Sequence, residues 1–551
     1  MQDVSKSARI RFTKQEKSWI LYDWANSVFA TNMMAAIFPI YFVGAATREG
    51  APGDVWWGWG VSLASLVAAV LAPILGTVAD YRGMKKRLLL VFLIIGLAAT
   101  LSTALVSEYR WMWIGYIFAQ IGFSGSCLYY DSFLTDVTKP ERMDTVSSWG
   151  YAMGYIGGST IPFIASIALM MIMGMDSIAA VKIVILLTVV WWAAFSIPIL
   201  RNVHQQYFVE KPESHAIRHT FIRLGHTLGQ IFYRKQIFFF AVAYFFYIDG
   251  VNTVINMATA YGKTLGLGTQ GMILALLVTQ LVAVAFSIVF ARFARRVGAL
   301  RMIAIAIGVY FVICIFGFYM GQSIEGPAAA YQQRFDTAFD RAVSDNGITG
   351  EDTYYNGLLA LKADAHGILA DSGRADAFWN TKGGGLFGDD QYMLTKVKLD
   401  NGQLAAVDND RTKAVLALGE EVRAFLADTS ASADYARALR NAAVMFWIMA
   451  FMVGTVQGGI QALSRSYFGK IIPPERSNEY FGFFDIFSKF ASVMGPALYA
   501  LIAGITGRSS WGILSLLVLF AVGGALLLGA HRHVPKSGQG TPEAETGSGA
   551  V

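Results

Sequence analysis

The chain runs to 551 residues, of which 55% are hydrophobic, 14% aromatic and only 15% charged, with a mean hydropathy of +0.47. A soluble domain carries roughly 25% charged residues, so this composition excludes a disordered, collagen-like or coiled-coil protein and points to lipid as the main solvent. The net charge of +6 and pI near 9.0 would suit a nucleic-acid partner only if the basic residues shared one soluble face, but they lie between hydrophobic segments.

A helix crosses the roughly 30 Å of bilayer hydrocarbon in about 20 mostly apolar residues. Twelve such spans are predicted, at 19–43, 55–79, 88–107, 111–131, 146–173, 178–200, 236–261, 269–291, 302–321, 442–464, 479–503 and 509–530. The first is too long for a signal peptide and contains Asp23 and Asn26, so it is expected to stay in the mature chain. With the N-terminus inside, segments on the cytoplasmic side hold 26 of the 44 Lys and Arg, while the short outer loops hold four, Arg48, Arg110, Lys263 and Arg508. That asymmetry places both termini in the cytoplasm and explains the basic pI as a topology signal, leaving no nucleic-acid partner.

Residues 322–440 break the pattern with 18 acidic against 12 basic residues and no spanning run, and are predicted to form a soluble outer insert. Short amphipathic helices are expected there at 328–343, 357–370 and 412–427, with a hairpin at Asn401-Gly402. The organisation is then a six-helix bundle in 1–200, a basic cytoplasmic linker in 201–235, spans 7–9 in 236–321 and the insert in 322–440. Spans 10–12 follow in 441–530, with a disordered Gly, Ser, Pro and Glu-rich tail in 531–551.

The two bundles repeat one another. Asp23-Trp-Ala-Asn26-Ser27-Val28 matches Asp249-Gly-Val-Asn252-Thr253-Val254 at an offset of 226, and Gly83 matches Gly298 at 215. Pro140-Glu141-Arg142 matches Pro474-Glu475-Arg476 at 334, and the same register pairs Pro162 with Pro496. The jump from 215 to 334 equals the length of the insert, so one insertion into the second half explains all the offsets.

Two six-helix halves with a GTVADYRGMKKR segment at 76–87 resemble the major facilitator superfamily. That resemblance implies an all-α fold of two pseudo-symmetric bundles, in which Asp80 docks at the inner start of span 11, near Asn478, as a gate, with Lys85, Lys86 and Arg87 following the Gly83 turn. WILYDWANSVFAT at 19–31 and QGGIQALSRSYFGKIIPPERSNEYFGFFDIFSKF at 457–490 are similar to the bacterial members of the unknown major facilitator family, relatives of the autophagy-related vacuolar amino-acid effluxer. This implies solute transport across a bacterial plasma membrane, with efflux of amino acids or similar small polar compounds as the expected activity. The insert is not part of the common pattern.

Charged groups at a bilayer centre cost about 2.5 to 3.5 kcal/mol each and usually face a cavity or a partner. Asp23 and Asp249, on repeat-equivalent sites of spans 1 and 7, are candidates for proton coupling, with packing through Asn26 or Asn252 as the alternative. The span limits put Asp23 shallower than Asp249, so span 1 is expected to continue inward before Trp19. Asp485 and Lys489 lie four apart on one face of span 11, where they neutralise each other or open during gating. Arg465 ends span 10 at the position equivalent to Asp131 on span 4, and opposite signs at pseudo-symmetric ends suggest an inner gate, an ordinary interfacial arginine being the alternative. Asn26, Asn32, Gln120, Tyr130, Asn252, Asn256, Gln280, Gln457 and Gln461 are candidates for bonding a polar solute, although polar residues in spans also serve as packing glue.

Cys127 and Cys314 lie in apolar runs, the seven histidines offer no zinc spacing, and no phosphate-binding loop, dinucleotide fingerprint or nucleophile elbow occurs. No cofactor is expected, nor an enzyme. The partners are a small-molecule substrate, the lipid bilayer and protons, and a monomer is expected. The reading is a secondary transporter working by alternating access; the rival is a non-transporting receptor or scaffold that presents the outer insert.

Overall fold

The computed structural model describes residues 11–345 and 429–532, apart from 50, 52, 175–176, 211–226, 228, 266 and 268. Twelve helical rods fill these residues. The N-terminal bundle holds α1 (Lys14–Phe29, carried through a π-helical segment Ala30–Ala36 to Phe38–Arg48), α2 (Gly53–Ala79), α3 (Met84–Leu105) and α4 (Tyr109–Ser132). It is completed by α5 (Met143–Gly154, a π-helical segment Tyr155–Thr160, then Ile161–Met173) and α6 (Ile178–Asn202). The C-terminal bundle holds α7 (Lys235–Thr264), α8 (Thr269–Val297), α9 (Ala299–Asp345), α10 (Thr429–Ile471), α11 (Ser477–Thr506) and α12 (Ser509–Ser515 and Leu517–Arg532). Ten of the rods have the length and apolarity to cross a membrane. Of the others, α4 is long enough at 24 residues but more polar, with Arg110, Gln120 and Asp131, and α11, at 30 residues, contributes the apolar stretch Met494–Thr506.

Local chemistry sets the helix ends. Thr13 caps α1 through its hydroxyl on the Glu16 N–H at 3.1 Å, while the Glu16 carboxylate accepts the Thr13 N–H at 2.8 Å. The helix therefore starts at Lys14, five residues before Trp19, which deepens Asp23 as its repeat partner requires. Gly83 and Gly298 turn the chain between α2 and α3 and between α8 and α9 with φ of 72° and 96°, a region that side chains disfavour. Pro140–Arg142 and Pro474–Arg476 are both single 3-10 turns leading into α5 and α11. Both repeat matches thus have a structural counterpart. Pro162 cannot donate to the preceding turn, and the π-helical segment of α5 lies just before it.

The bundles meet where α2 packs on α11 and α5 on α8 and α10, the first two pairs being repeat-equivalent. The end of the molecule holding the α2–α3, α4–α5, α8–α9 and α10–α11 connections carries the clustered Lys and Arg and is termed the basic end. After α6 the chain lies along the α2–α3 loop there, with the Val209 N–H donating to the Asp80 carbonyl at 2.8 Å.

Two boundaries differ from the sequence reading. Helix α9 runs unbroken through Pro327 to Asp345, and α10 begins at Thr429, so both ends of the 322–440 stretch are helical continuations, joined by stacking of Tyr331 on Tyr435 at 5.7 Å. The segments expected at 357–370 and 412–427, the Asn401-Gly402 hairpin and the tail from Val534 lie outside the described residues.

Candidate functional site

Arg465 lies on α10 near the basic end, 3% exposed, and reaches out of its own bundle into the other. Its Nη1 donates to Asp131 Oδ1 at 2.8 Å and its Nη2 to Asp23 Oδ2 at 3.2 Å. Nη2 also reaches the Ser147 carbonyl at 3.0 Å, and Nε the Ser147 hydroxyl at 2.9 Å. The rings of Tyr151, Trp19 and Tyr130 enclose the guanidinium at 4.4, 4.7 and 5.3 Å. Tyr130 donates its hydroxyl to Asp23 Oδ2 at 2.6 Å, and the Trp19 indole holds the Tyr130 carbonyl at 2.8 Å. One planar cation with a fixed fork of donors serves two carboxylates and three ring faces, an arrangement that a lysine, with its compact ammonium, could not copy.

The approach depends on Gly150 of α5. A Cβ there would lie 2.5 Å from Asp23 Oδ2 and 3.1 Å from both Arg465 Nη2 and the Tyr130 hydroxyl. Gly150→Ala is expected to push α5 off the cluster and cost about 1–3 kcal/mol, read as a lowered midpoint of thermal unfolding in detergent. Gly308→Ala, where a Cβ meets nothing within 4 Å, is the control and should leave the midpoint in place.

Asp131 and Arg465 are 334 positions apart, the repeat register of α4 and α10, so repeat-equivalent residues bond one another. Two further contacts obey the same register. Ser132 donates to Asn478 Oδ1, and its counterpart Ser466 donates to Asp144 Oδ1 at 2.7 Å, Asp144 being the counterpart of Asn478. Lys470 Nζ adds an ion pair to Asp144 at 2.6 Å. Each bundle therefore sets the end of its fourth helix against the start of the other's fifth.

Beside this cluster Asp80, one residue past α2 and fully buried, accepts the N–H groups of Asn478 and Glu479 at 3.0 and 3.1 Å and the Asn478 side-chain amide at 2.8 Å. These are first-turn amides of α11, without partners inside their helix and at its positive end. Burial pushes the Asp80 carboxyl up to about 7, while Lys85 and the Asn478 donors pull it down. Lys85 is buried, with Nζ 2.7 Å from Asp136 Oδ2, 2.9 Å from the Ser477 hydroxyl and 3.4 Å from the Ser132 carbonyl. Asp136 also accepts the N–H groups of Gln206 and Tyr207 at 2.7 and 3.0 Å, pinning the start of the linker to the same spot. Arg87 is exposed, as is Arg295, the counterpart of Asp80.

Asp249 does not join Asp23. It is fully buried on α7, where Oδ1 accepts the Gly495 N–H of α11 at 2.9 Å and the Thr253 hydroxyl at 3.5 Å. Among the described residues Oδ2 has no hydrogen-bond partner. Asp485 and Lys489 are paired at 3.7 Å with a quarter and a fifth of their side chains exposed, and Asp131 is one-third exposed.

The polar candidates divide. Asn32 bonds Ser166 and Thr188, both at 3.1 Å, and Gln120 accepts the Tyr116 hydroxyl at 2.5 Å, so both serve the interior of the N-terminal bundle. Asn26 reaches Cys127 Sγ at 3.5 Å. Gln280 and Gln457 line a pocket inside the C-terminal bundle. Asn252 and Gln461 are half-buried and Asn256 is exposed. The sequence reading missed Asp144, Ser147 and Lys470 and left Asp136 unassigned. The 334 register maps Asp136 onto Lys470, a second opposite-sign pair that could have flagged this region.

These rods and cross-bundle contacts define a transporter of the major facilitator type. Solved structures agree on the fold: a bacterial homologue of the iron transporter ferroportin in an outward-facing state (TM-score 0.53, 11% identity, 95% of this chain and 100% of that one). The Escherichia coli fucose:proton symporter is similar too (TM-score 0.54, 10% identity, 96% and 100%). The chain belongs to the Atg22-like vacuole effluxer family, whose profile matches residues 59–335 and 440–536. An uncharacterized MFS-type transporter of Bacillus subtilis, YxiO, is 34% identical over 527 residues, covering 94% of this chain and 95% of that one. Autophagy-related protein 22 of Cryptococcus neoformans is 36% identical over 84 residues, 15% of each chain. The protein is thus a multi-pass membrane protein and a secondary transporter.

Proposed function

We propose that the protein is a proton-coupled exporter of a small polar organic solute, amino acids being the first class to test, acting as a monomer in a bacterial plasma membrane with its basic end in the cytoplasm. The observation that carries this reading is the Arg465 cluster. A buried cation from one bundle is held by two carboxylates of the other, so the basic end opens only when those bonds break. Solute reaching the part-exposed Asp131, Asp485 and Lys489 would meet that cluster directly.

The chemistry at Asp249 suits a proton better than a metal ion. Hard cations take six or more oxygen ligands, whereas one oxygen of Asp249 already receives an N–H from Gly495, which repels a cation. A carboxylate this deep is costly to keep ionised without a partner, and a proton removes the cost. Asp23 has the other role. Protonating it removes one of the two negative charges that hold Arg465, which loosens the gate.

Reconstituted full-length protein in proteoliposomes tests the reading, with a radiolabelled amino-acid mixture as the probe. Asp249→Asn is expected to lower accumulation driven by a pH gradient by tenfold or more while leaving exchange at equal pH within about twofold, since a near-isosteric amide cannot take up the proton but keeps the side chain's shape. Driven accumulation as strong as wild type would remove Asp249 from coupling.

A further inference from the structure

The C-terminal bundle contains a space lined by residues of five of its helices. Between α7, α8, α9, α10 and α12 lies a pocket of about 670 Å³ with its open solvent included. Its walls are apolar, with Ala258, Met449, Ala450 and Val453 prominent, and its polar atoms are Tyr261, Thr279, Gln280 and Gln457. The Tyr261 hydroxyl is engaged by the Gly317 carbonyl at 2.8 Å, and Thr279 by the Ala275 and Ala450 carbonyls at 3.0 Å. The Gln280 side-chain oxygen is buried with no partner among the described residues. Gln457, 7% exposed, adjoins Gly458, where a Cβ would lie 2.9 Å from the Tyr155 ring of the N-terminal bundle, so one wall of the pocket lies at the interface between the halves.

At three lining positions the repeat register sets aromatic rings of the other half against smaller or more flexible residues here. Ala450 and Gln457 correspond to Tyr116 and Phe123, and Ile255 to Phe29. In the N-terminal bundle those rings fill the interior: Phe29 stacks on Phe123 at 4.8 Å, and Tyr116 packs on Trp57 and Phe38 at 4.3 and 5.7 Å. Smaller or flexible residues at these three places widen the pocket locally, although elsewhere in its lining Met449 and Val453 face the smaller Gly115 and Ala119 in the register. We infer that the C-terminal bundle holds a specificity pocket for an apolar arm of the transported solute, which enters past Gln457 and gives an N–H or O–H donor to Gln280. This rests on the transporter reading and narrows its substrates to amphipathic small molecules.

The test photolabels the purified full chain in detergent with an aryl trifluoromethyl diazirine carboxamide, an apolar ring with an N–H donor, and maps the labelled peptides by mass spectrometry. Label is expected in residues 254–258 and 449–457, and should be displaced by excess benzamide. Ala450→Tyr, which restores the residue of the other half, should cut it about tenfold. The matching methyl ester, lacking the N–H, should label less than the amide in wild type and equally in Gln280→Leu. Should Ala450→Tyr fail to fold, the amide-to-ester contrast in Gln280→Leu decides alone. Label spread over the lipid-facing surface and indifferent to these substitutions would overturn the pocket. Labelling needs no turnover, so its failure leaves the Asp249-dependent flux standing, whereas absent flux with a labelled pocket refutes transport alone.

Discussion

Arg465→Met is expected to unseat the basic end of the bundle at a cost of about 3 kcal/mol, because it strands the buried Asp23 and takes the partner from the part-exposed Asp131. Cys127, on α4 one turn before Asp131, is the native reporter. In a Cys314→Ser background, a charged maleimide added at the basic end should label Cys127 at least about tenfold faster in Arg465→Met than in the parent, as that stability loss opens the path. Adding Asp23→Asn and Asp131→Asn should recover most of the lost thermal stability, since no charge is then left without a partner, while labelling stays fast. A methionine variant as stable and as slow to label as its parent would end the account of Arg465 as the gate. Recovery is expected to be incomplete, because the three ring faces that enclose the guanidinium lose their cation in both variants.

Asp80→Ala is expected to have the next largest effect. It leaves two backbone N–H groups at the start of α11 and the Asn478 side-chain amide without their acceptor, each worth about 1–3 kcal/mol if it stays buried. Hydrogen exchange reads this directly: protection at Asn478 and Glu479 should fall while protection in the middle of α10 is retained. Asp80→Asn should lie between, since its amide oxygen still accepts but its nitrogen turns a donor toward donors. Amides at 478 and 479 as protected in Asp80→Ala as in wild type would show that α11 is held by something else, with Lys85 and its bond to Ser477 the first place to look.

Much of the architecture was legible because an apolar run of spanning length has few physical alternatives. The repeat could be read from three short matches, and the turns it paired, Gly83 with Gly298 and Pro140–Arg142 with Pro474–Arg476, have matching conformations. The helix extensions were not legible. Span 9 is predicted to end at 321 with a separate helix at 328–343, yet α9 runs through both and carries Pro327 in its interior. Within the site, the register brought Asp131 opposite Arg465 in the sequence before it did so in space. It could not reveal that Asp23 joins them while Asp249 turns to its own bundle. That depends on the rotation of α1 and α7 about their axes, which a few residues of periodicity do not fix. Asn32 and Gln120 illustrate the same limit: a polar side chain in a span faces either water or a neighbouring hydroxyl, and one sequence does not say which.

The bond between Asp131 and Arg465 has a bearing on how such a molecule arises. Were either bundle to associate with an identical copy in the same arrangement, the isologous contact would set acid against acid or guanidinium against guanidinium, and the assembly would repel itself at its centre. Only where the two halves differ in sequence does this clasp become available. Its chemistry belongs to the unlike pair and to neither half alone.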